Sequence, residues 1–253
     1  FTPTTTRFVG IIIRQHRRNG VKVEAKASVQ KITGIPGEMT VTYTDKKGAE
    51  HTVTAQGVLA AAGRKANLDG LFGPDFSLEL DRGAVVGDDM GRTSVPHVYV
   101  IGDAKAKNIQ LAHVASAHGE NVVAVIAGKN PPLDLSVVPS CVYTEPEIAS
   151  VGLTEEGAKA AGIPVKTGKY LTGANGKCLI EGTESGYVKL VTDGASGRIL
   201  GAQLVCPRAT DMVGELTLAI QKGLTADDLS AVIHPHPTFS EMLFGAAEGL
   251  RLE

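Results

Sequence analysis

The chain has 253 residues, 43% of them hydrophobic and 21% charged, with a net charge of −2. That composition is ordinary for a globular protein, and the length is enough for one large domain or two to three small ones. The weak net charge and scattered Lys and Arg speak against nucleic acid, and no apolar run reaches bilayer length.

Residues 1–20 carry Phe8, Ile11, Ile12 and His16 at helical spacing, with Asn19-Gly20 as a stop. Val21–Ile32 alternates like a strand. Met39–Tyr43 and Thr52–Leu59 are two more, joined by a turn at Asp45–Gly48 and running into the apolar stretch Gly57–Gly63. A loop rich in Gly and Asp follows, then a short apolar strand, His97–Ile101. A helix is expected from Leu111 to Gly128, with Ala112, Ala115, Val122, Val123 and Ile126 on one side. Asn130-Pro131-Pro132 breaks the chain. Beyond it the pattern is α+β. Thr154 starts a helix that Gly162 ends, and Tyr187–Val191 and Ile199–Val205 pair through the turn 193–197. Thr210-Asp211 caps a helix to Lys222. Thr225–Asp228 and Thr238–Glu241 have the form of capping boxes.

The three cysteines, Cys141, Cys178 and Cys206, are far apart. Neither a zinc ribbon nor a CxxC pair is present, and reduced thiols are expected. The N-terminus lacks the apolar centre of a signal peptide, so a cytoplasmic location is expected.

Two constellations carry chemistry. In the first, the apolar segment 97–101 runs into Gly102-Asp103, placing a carboxylate at a strand's C-terminal edge, where open α/β sheets bind ligands. Gly102 would let a ligand approach the backbone. Gln110-Leu111-Ala112-His113 follows at the start of the long helix. In the second, His236 stands between Pro235 and Pro237, each of which restricts the residue before it. A cis bond at His236-Pro237 is compatible with this stretch. Glu241, five residues on, can bond one ring nitrogen, favour the imidazolium and leave the other nitrogen as a base.

The Gly-Asp turn followed by Leu-Ala-His resembles the second flavin-binding motif of the flavin-dependent disulfide oxidoreductases. The stretch His234-Pro-His-Pro-Thr-Phe-Ser-Glu241 resembles their dihydrolipoamide dehydrogenase branch, and Cys141–Gly152 resembles the opening strand of their interface domain. The resemblance runs from about residue 7 to 251. It implies that Asp103 binds the ribityl chain of FAD and that Gly102, Gln110, Leu111, Ala112 and His113 line the cofactor. It places Gly63 beside NAD and Val29 against the adenine. It makes His236 and Glu241 the acid/base pair, acting on the disulfide of the other subunit of a homodimer. The substrate implied is a lipoyl-bearing domain or a small dithiol.

The expected architecture is an α+β interface (dimerisation) domain preceded by partial α/β, Rossmann-like segments. Residues 1–63 would belong to an NAD-binding domain, 64–133 to an FAD-binding domain and 134–251 to the dimerisation domain. The chain departs from the family in one respect. The Gly-x-Gly-x-x-Gly sites and the CxxxxC disulfide are absent, since Gly34–Gly37 and Gly83–Gly87 lack that spacing. The expectation is therefore part of an oxidoreductase converting dihydrolipoamide and NAD+ to lipoamide and NADH. By itself the chain would hold neither FAD nor NAD and would be inactive. Two rival readings are a glutathione-reductase-like enzyme of the same family and a non-catalytic dimerisation module.

Overall fold

The computed structural model describes residues 3–183 and 185–251. They fall into two compact units, residues 13–65 in one and residues 1–12 with 66–253 in the other. No described helix is long and apolar enough to cross a membrane.

Helix α1 (Pro3–Arg18) forms where the periodicity places it, with Phe1 and Thr2 outside the described residues. Its end is a glycine cap. Gly20 takes φ +80°, Val21 N–H donates to His16 O and Gly20 N–H to Arg17 O.

Residues 13–65 build a three-stranded antiparallel sheet of β1 (Ser28–Ile35), β2 (Glu38–Thr44) and β3 (Glu50–Ala55), in that order. The first strand starts later than its alternation suggests, at Ser28 rather than Val21. Its register is set by the turn Pro36-Gly37, where Ile35 faces Glu38 and Gly37 takes φ +100°. The third strand stops at Ala55, four residues short of expectation. Gly57–Gly63 has no ladder partner and no regular structure. None of this unit's described residues is buried, because no second layer covers the sheet within the unit.

In residues 66–133, β4 (Leu80–Asp81) and β5 (Ala84–Val85) meet through Arg82-Gly83, both at positive φ. The expected strand 97–101 does not form. Tyr99 makes a single bridge to Arg92, flanked by Val100 N–H to Gly91 O (2.8 Å) and Thr93 N–H to Val98 O (3.1 Å), and the positive φ of Gly91 and His97 ends the pairing there. A 3₁₀ turn, Gly102–Ala104, leads to α2 (Ala112–Ile126). The buried stripe of α2 is Val114, His118, Asn121 and Val122, while Val123 and Ile126 are exposed, against the side expected. Polar residues hold that stripe because they have partners. Asn121 donates to Leu133 O (2.8 Å) and accepts Leu133 N–H (3.0 Å), tying the Pro-Pro segment to the helix.

The remainder is the best-packed part. Strands β6 (Ser140–Val142), β7 (Ile148–Gly152), β8 (Val165–Leu171), β9 (Tyr187–Asp193) and β10 (Ile199–Val205) form an antiparallel sheet of order β6-β7-β10-β9-β8. The helices are α3 (Glu155–Ala160), α4 (Gly176–Ile180), α5 (Ala209–Gln221), α6 (Ala226–Ser230) and α7 (Glu241–Glu248). Register puts Ala149, Val151, Val188, Leu190, Ala202 and Leu204 on one face of the sheet. Against them pack Met212, Val213 and Leu216 of α5 and Met242, Leu243 and Ala246 of α7, forming a single buried cluster. Thr154 caps α3 and Thr225 with Asp228 makes a full capping box, as their spacing predicts. The α5 cap differs from expectation. Arg208, in the left-handed conformation, holds the cap position. Glu147 Oε2, from the loop before β7, accepts both the Thr210 N–H (2.9 Å) and hydroxyl (2.6 Å). Strand β8 and helix α4 have no counterpart among the predicted elements.

Candidate active site

His236 lies on the loop between α6 and α7, and the peptide bond to Pro237 is cis. Its ring is 76% exposed, with Nδ1 2.9 Å from Oε1 of Glu241 at the first position of α7. The other carboxylate oxygen, Oε2, accepts the Thr238 N–H at 2.8 Å. The start of α7 differs from the expected capping box, because Ser240 holds the N-cap position and has no side-chain cap bond. Glu241 reaches back as expected, but the Thr238 hydroxyl turns to Pro235 O (2.7 Å) and Ser240. The Thr238 N–H, and after it His236, hold the Glu241 carboxyl below its usual range. A carboxylate at Nδ1 fixes the proton on that nitrogen of the neutral ring. Nε2 has no hydrogen-bond partner among the described residues, so it can take up a proton from outside.

The histidine two residues earlier is a different case. His234 is 6% exposed in its side chain, with Nδ1 at Val232 O (3.0 Å) and Nε2 at Glu215 Oε1 (3.2 Å). With both nitrogens engaged, it fastens the loop to α5.

The Gly102–His113 segment lies in the same unit. Gly102 is buried at φ +58°, and a Cβ there would stand 2.6 Å from the Ala115 Cβ. Its glycine is thus required for α2 to pack, a reason the strand-edge reading did not supply. Asp103 sits in the 3₁₀ turn. Asn108 Nδ2 donates to Gly102 O at 2.9 Å and lies 3.5 Å from His118 Nδ1. Leu111 occupies the N-cap of α2 with no side-chain cap, and the first turn carries no acidic residue. The Ala112 and His113 N–H groups have no backbone acceptor among the described residues, so the positive end of the helix is open. His113 Nε2 bonds Pro139 O (2.9 Å), joining the start of α2 to the residue before β6. Gln110 precedes the cap residue.

Gly63 and Val29 lie in the other unit. Gly63 takes φ +121° with open space where a Cβ would stand, and Val29 is 59% exposed on β1. The three thiols are free. Burial raises all of them above the usual thiol range, Cys206 to about 12, so none serves as a thiolate at neutral pH.

Two family models match the chain. The pyridine nucleotide-disulphide oxidoreductase model covers residues 2–119, and the dimerisation-domain model of the same oxidoreductases covers 138–247.

The chain belongs to the pyridine nucleotide-disulphide oxidoreductases.

Among its relatives, a dihydrolipoyl dehydrogenase of Bacillus subtilis (strain 168) is 39% identical over 236 residues, 93% of this chain and 50% of that protein. One from Geobacillus stearothermophilus is 37% identical over 96% of this chain and 51% of its own length. LpdA from Mycobacterium tuberculosis, a solved structure, matches with a TM-score of 0.84 at 25% identity, over 96% of this chain and 52% of that one. The HOCl-induced flavoprotein disulfide reductase RclA from Escherichia coli shares the fold, with a TM-score of 0.84 at 23% identity. The chain spans about half the length of the curated relatives it matches.

In this oxidoreductase chain, proximity within the sequence served the His236–Glu241 pair well. The distant groups bonded to its loop were not found that way. Asn175 and Glu215 are 63 and 19 residues from the groups they bind, Thr238 and His234. The one signal available for Asn175 was its place as an N-cap residue before Gly176.

Proposed function

We propose that the chain supplies the proton-handling residues and the subunit interface of a dihydrolipoyl dehydrogenase. The overall reaction is dihydrolipoamide plus NAD+ giving lipoamide, NADH and a proton. The observation that carries this reading is the His236–Glu241 contact at 2.9 Å, with Nε2 turned to solvent on a loop fastened to both α4 and α5. His236 takes the proton from a dithiol, because the thiolate is the nucleophile in disulfide exchange. Glu241 fixes the ring tautomer and balances the imidazolium charge. The high-pKa thiols of this chain, two buried and Cys141 half-buried, are unsuited to the exchange, so the reacting sulfurs come from the substrate and from other residues of the assembled enzyme.

The Gly102–His113 segment fits one part of an FAD. Asp103 would hold the ribityl hydroxyls, with Gly102, Gln110, Leu111, Ala112 and His113 along the ring. The open positive end of α2 suits negative charge on the cofactor. When bound, the flavin supplies two-electron transfer between dithiol and nicotinamide. Gly63 and Val29 would lie against NAD. The dimerisation-domain match at 138–247 supports a homodimer, in which His236 serves the partner's redox centre.

The test is a dihydrolipoamide oxidation assay in a protein of the relatives' full length bearing this sequence. His236→Gln is expected to lower kcat about 100- to 10,000-fold. Flavin content and thermal stability should stay near the parent's, since the ring is exposed. Activity near the parent's would overturn the reading.

A further inference from the structure

A buried amide sits under the His236 loop. Asn175 is 2% exposed, at the N-cap of α4. Its Oδ1 accepts the Cys178 N–H at 2.9 Å. Its Nδ2 donates 3.0 Å to Thr238 O, 63 residues away. Thr238 is therefore held at three points. Its carbonyl takes the Asn175 amide, its hydroxyl donates to Pro235 O, and its N–H donates to Glu241 Oε2. Glu241 turns its remaining oxygen to His236 Nδ1. Gly176, next to Asn175, lies under the same ring, with a Cβ built there 3.9 Å from His236 Cε1.

The amide is suited to this place. An N-cap needs an acceptor, which Asp or Ser supplies equally well. Only Asn adds a donor that reaches a carbonyl on another element while the acceptor stays on the cap. Breaking one bond of a buried pair leaves a carbonyl unsatisfied, and here that carbonyl belongs to the residue that orients Glu241.

We propose that Asn175 is a positioning residue for the His236–Glu241 pair, acting through Thr238 to hold the carboxylate on Nδ1. This rests on the acid/base reading above. The substitutions Asn175→Ser and Asn175→Asp keep a cap acceptor for Cys178 and remove the donor to Thr238. Each predicts a folded chain whose His236 is no longer held in one tautomer.

The experiment is two-bond ¹H–¹⁵N correlation of the histidine rings in this chain, at a pH where His236 is neutral. In the unsubstituted chain the His236 nitrogens should be well separated in shift, with the proton on Nδ1. Glu241→Gln should collapse that separation toward the average of two tautomers. Both Asn175 variants should move it the same way, while His234, held by Val232 and Glu215, stays put. If Glu241→Gln moves the signals and a folded Asn175 variant does not, the positioning role is wrong and the acid/base pair stands. If Glu241→Gln moves nothing, the pair itself is wrong. Should the Ser variant fail to fold, the closer-fitting Asp variant separates the same outcomes.

Discussion

Glu241 meets His236 through one oxygen only. Oε1 lies 2.9 Å from Nδ1, and Oε2 belongs to the Thr238 N–H at 2.8 Å. The carboxylate is thus fixed by the backbone before it orients the ring, and its ionisation is tied to the loop's geometry.

Acid should therefore loosen this loop. The folded-state pKa of Glu241 lies below its ordinary 4.5, because of the Thr238 N–H and then His236. A group with a depressed folded pKa stabilises the fold above its unfolded value and loses that contribution as pH falls through the folded one. The parent is expected to exceed Glu241→Gln in stability at pH 7, and the gap should narrow from about pH 4.5 downward. Urea melts of both proteins from pH 7 to pH 3 check this. A gap independent of pH would show that the charge does not matter.

Glu155 should show the same trend over a wider range. Lys159 and then Lys189 pull its carboxyl down to about 2. The stability difference between the parent and Glu155→Gln is expected above pH 4.5. It should shrink as the pH approaches 2, and salt should reduce it, since Lys159 is exposed.

The cap on α5 comes from far along the chain. Glu147 Oε2 holds both the N–H and the hydroxyl of Thr210. Glu147→Ala is expected to cost about 0.5–2 kcal/mol, the usual range for a lost capping acceptor. Thr210→Val, added to Glu147→Ala, should cost less than it does alone, because the hydroxyl has already lost its acceptor. Denaturant melts of the four proteins measure the coupling, and strict additivity would count against the bond.

Two glycines make opposite predictions. A Cβ at Gly168 on β8 would stand 2.0 Å from the Ala246 carbonyl oxygen of α7. Backbone cannot yield as a side chain does, so Gly168→Ala should cost about 1–3 kcal/mol, as overpacking does. Gly214, in the middle of α5, has nothing within 4 Å of its Cβ position and an ordinary helical backbone. Gly214→Ala should add roughly 0.5–1 kcal/mol through helix propensity. Thermal melts of the pair separate the two causes.

What could be read from residue order alone was what is settled within a few positions. The helix caps at Thr154 and Thr225, the glycine stop of α1, the β9–β10 hairpin and the contact of Glu241 with His236 each join residues at most five apart, or a turn of that size. Hydrogen bonds at that range cost little chain entropy, so local pattern predicts them.

The tertiary structure decided the rest. It turned the buried stripe of α2 toward His118 and Asn121, which a hydrophobic pattern ranks as surface, because Asn108 and Leu133 satisfy them. It confined the pairing of 97–101 to one bridge, Arg92 with Tyr99, between the positive-φ residues Gly91 and His97. It also brought Glu147 to Thr210 and Asn175 to Thr238, each across 63 residues. Such bonds form only after the sheet and helices have packed, so no local pattern records them. The contact of His236 with Glu241 was visible in the order of residues, and the distant side chains bonded to its loop became visible once the chain had folded around them.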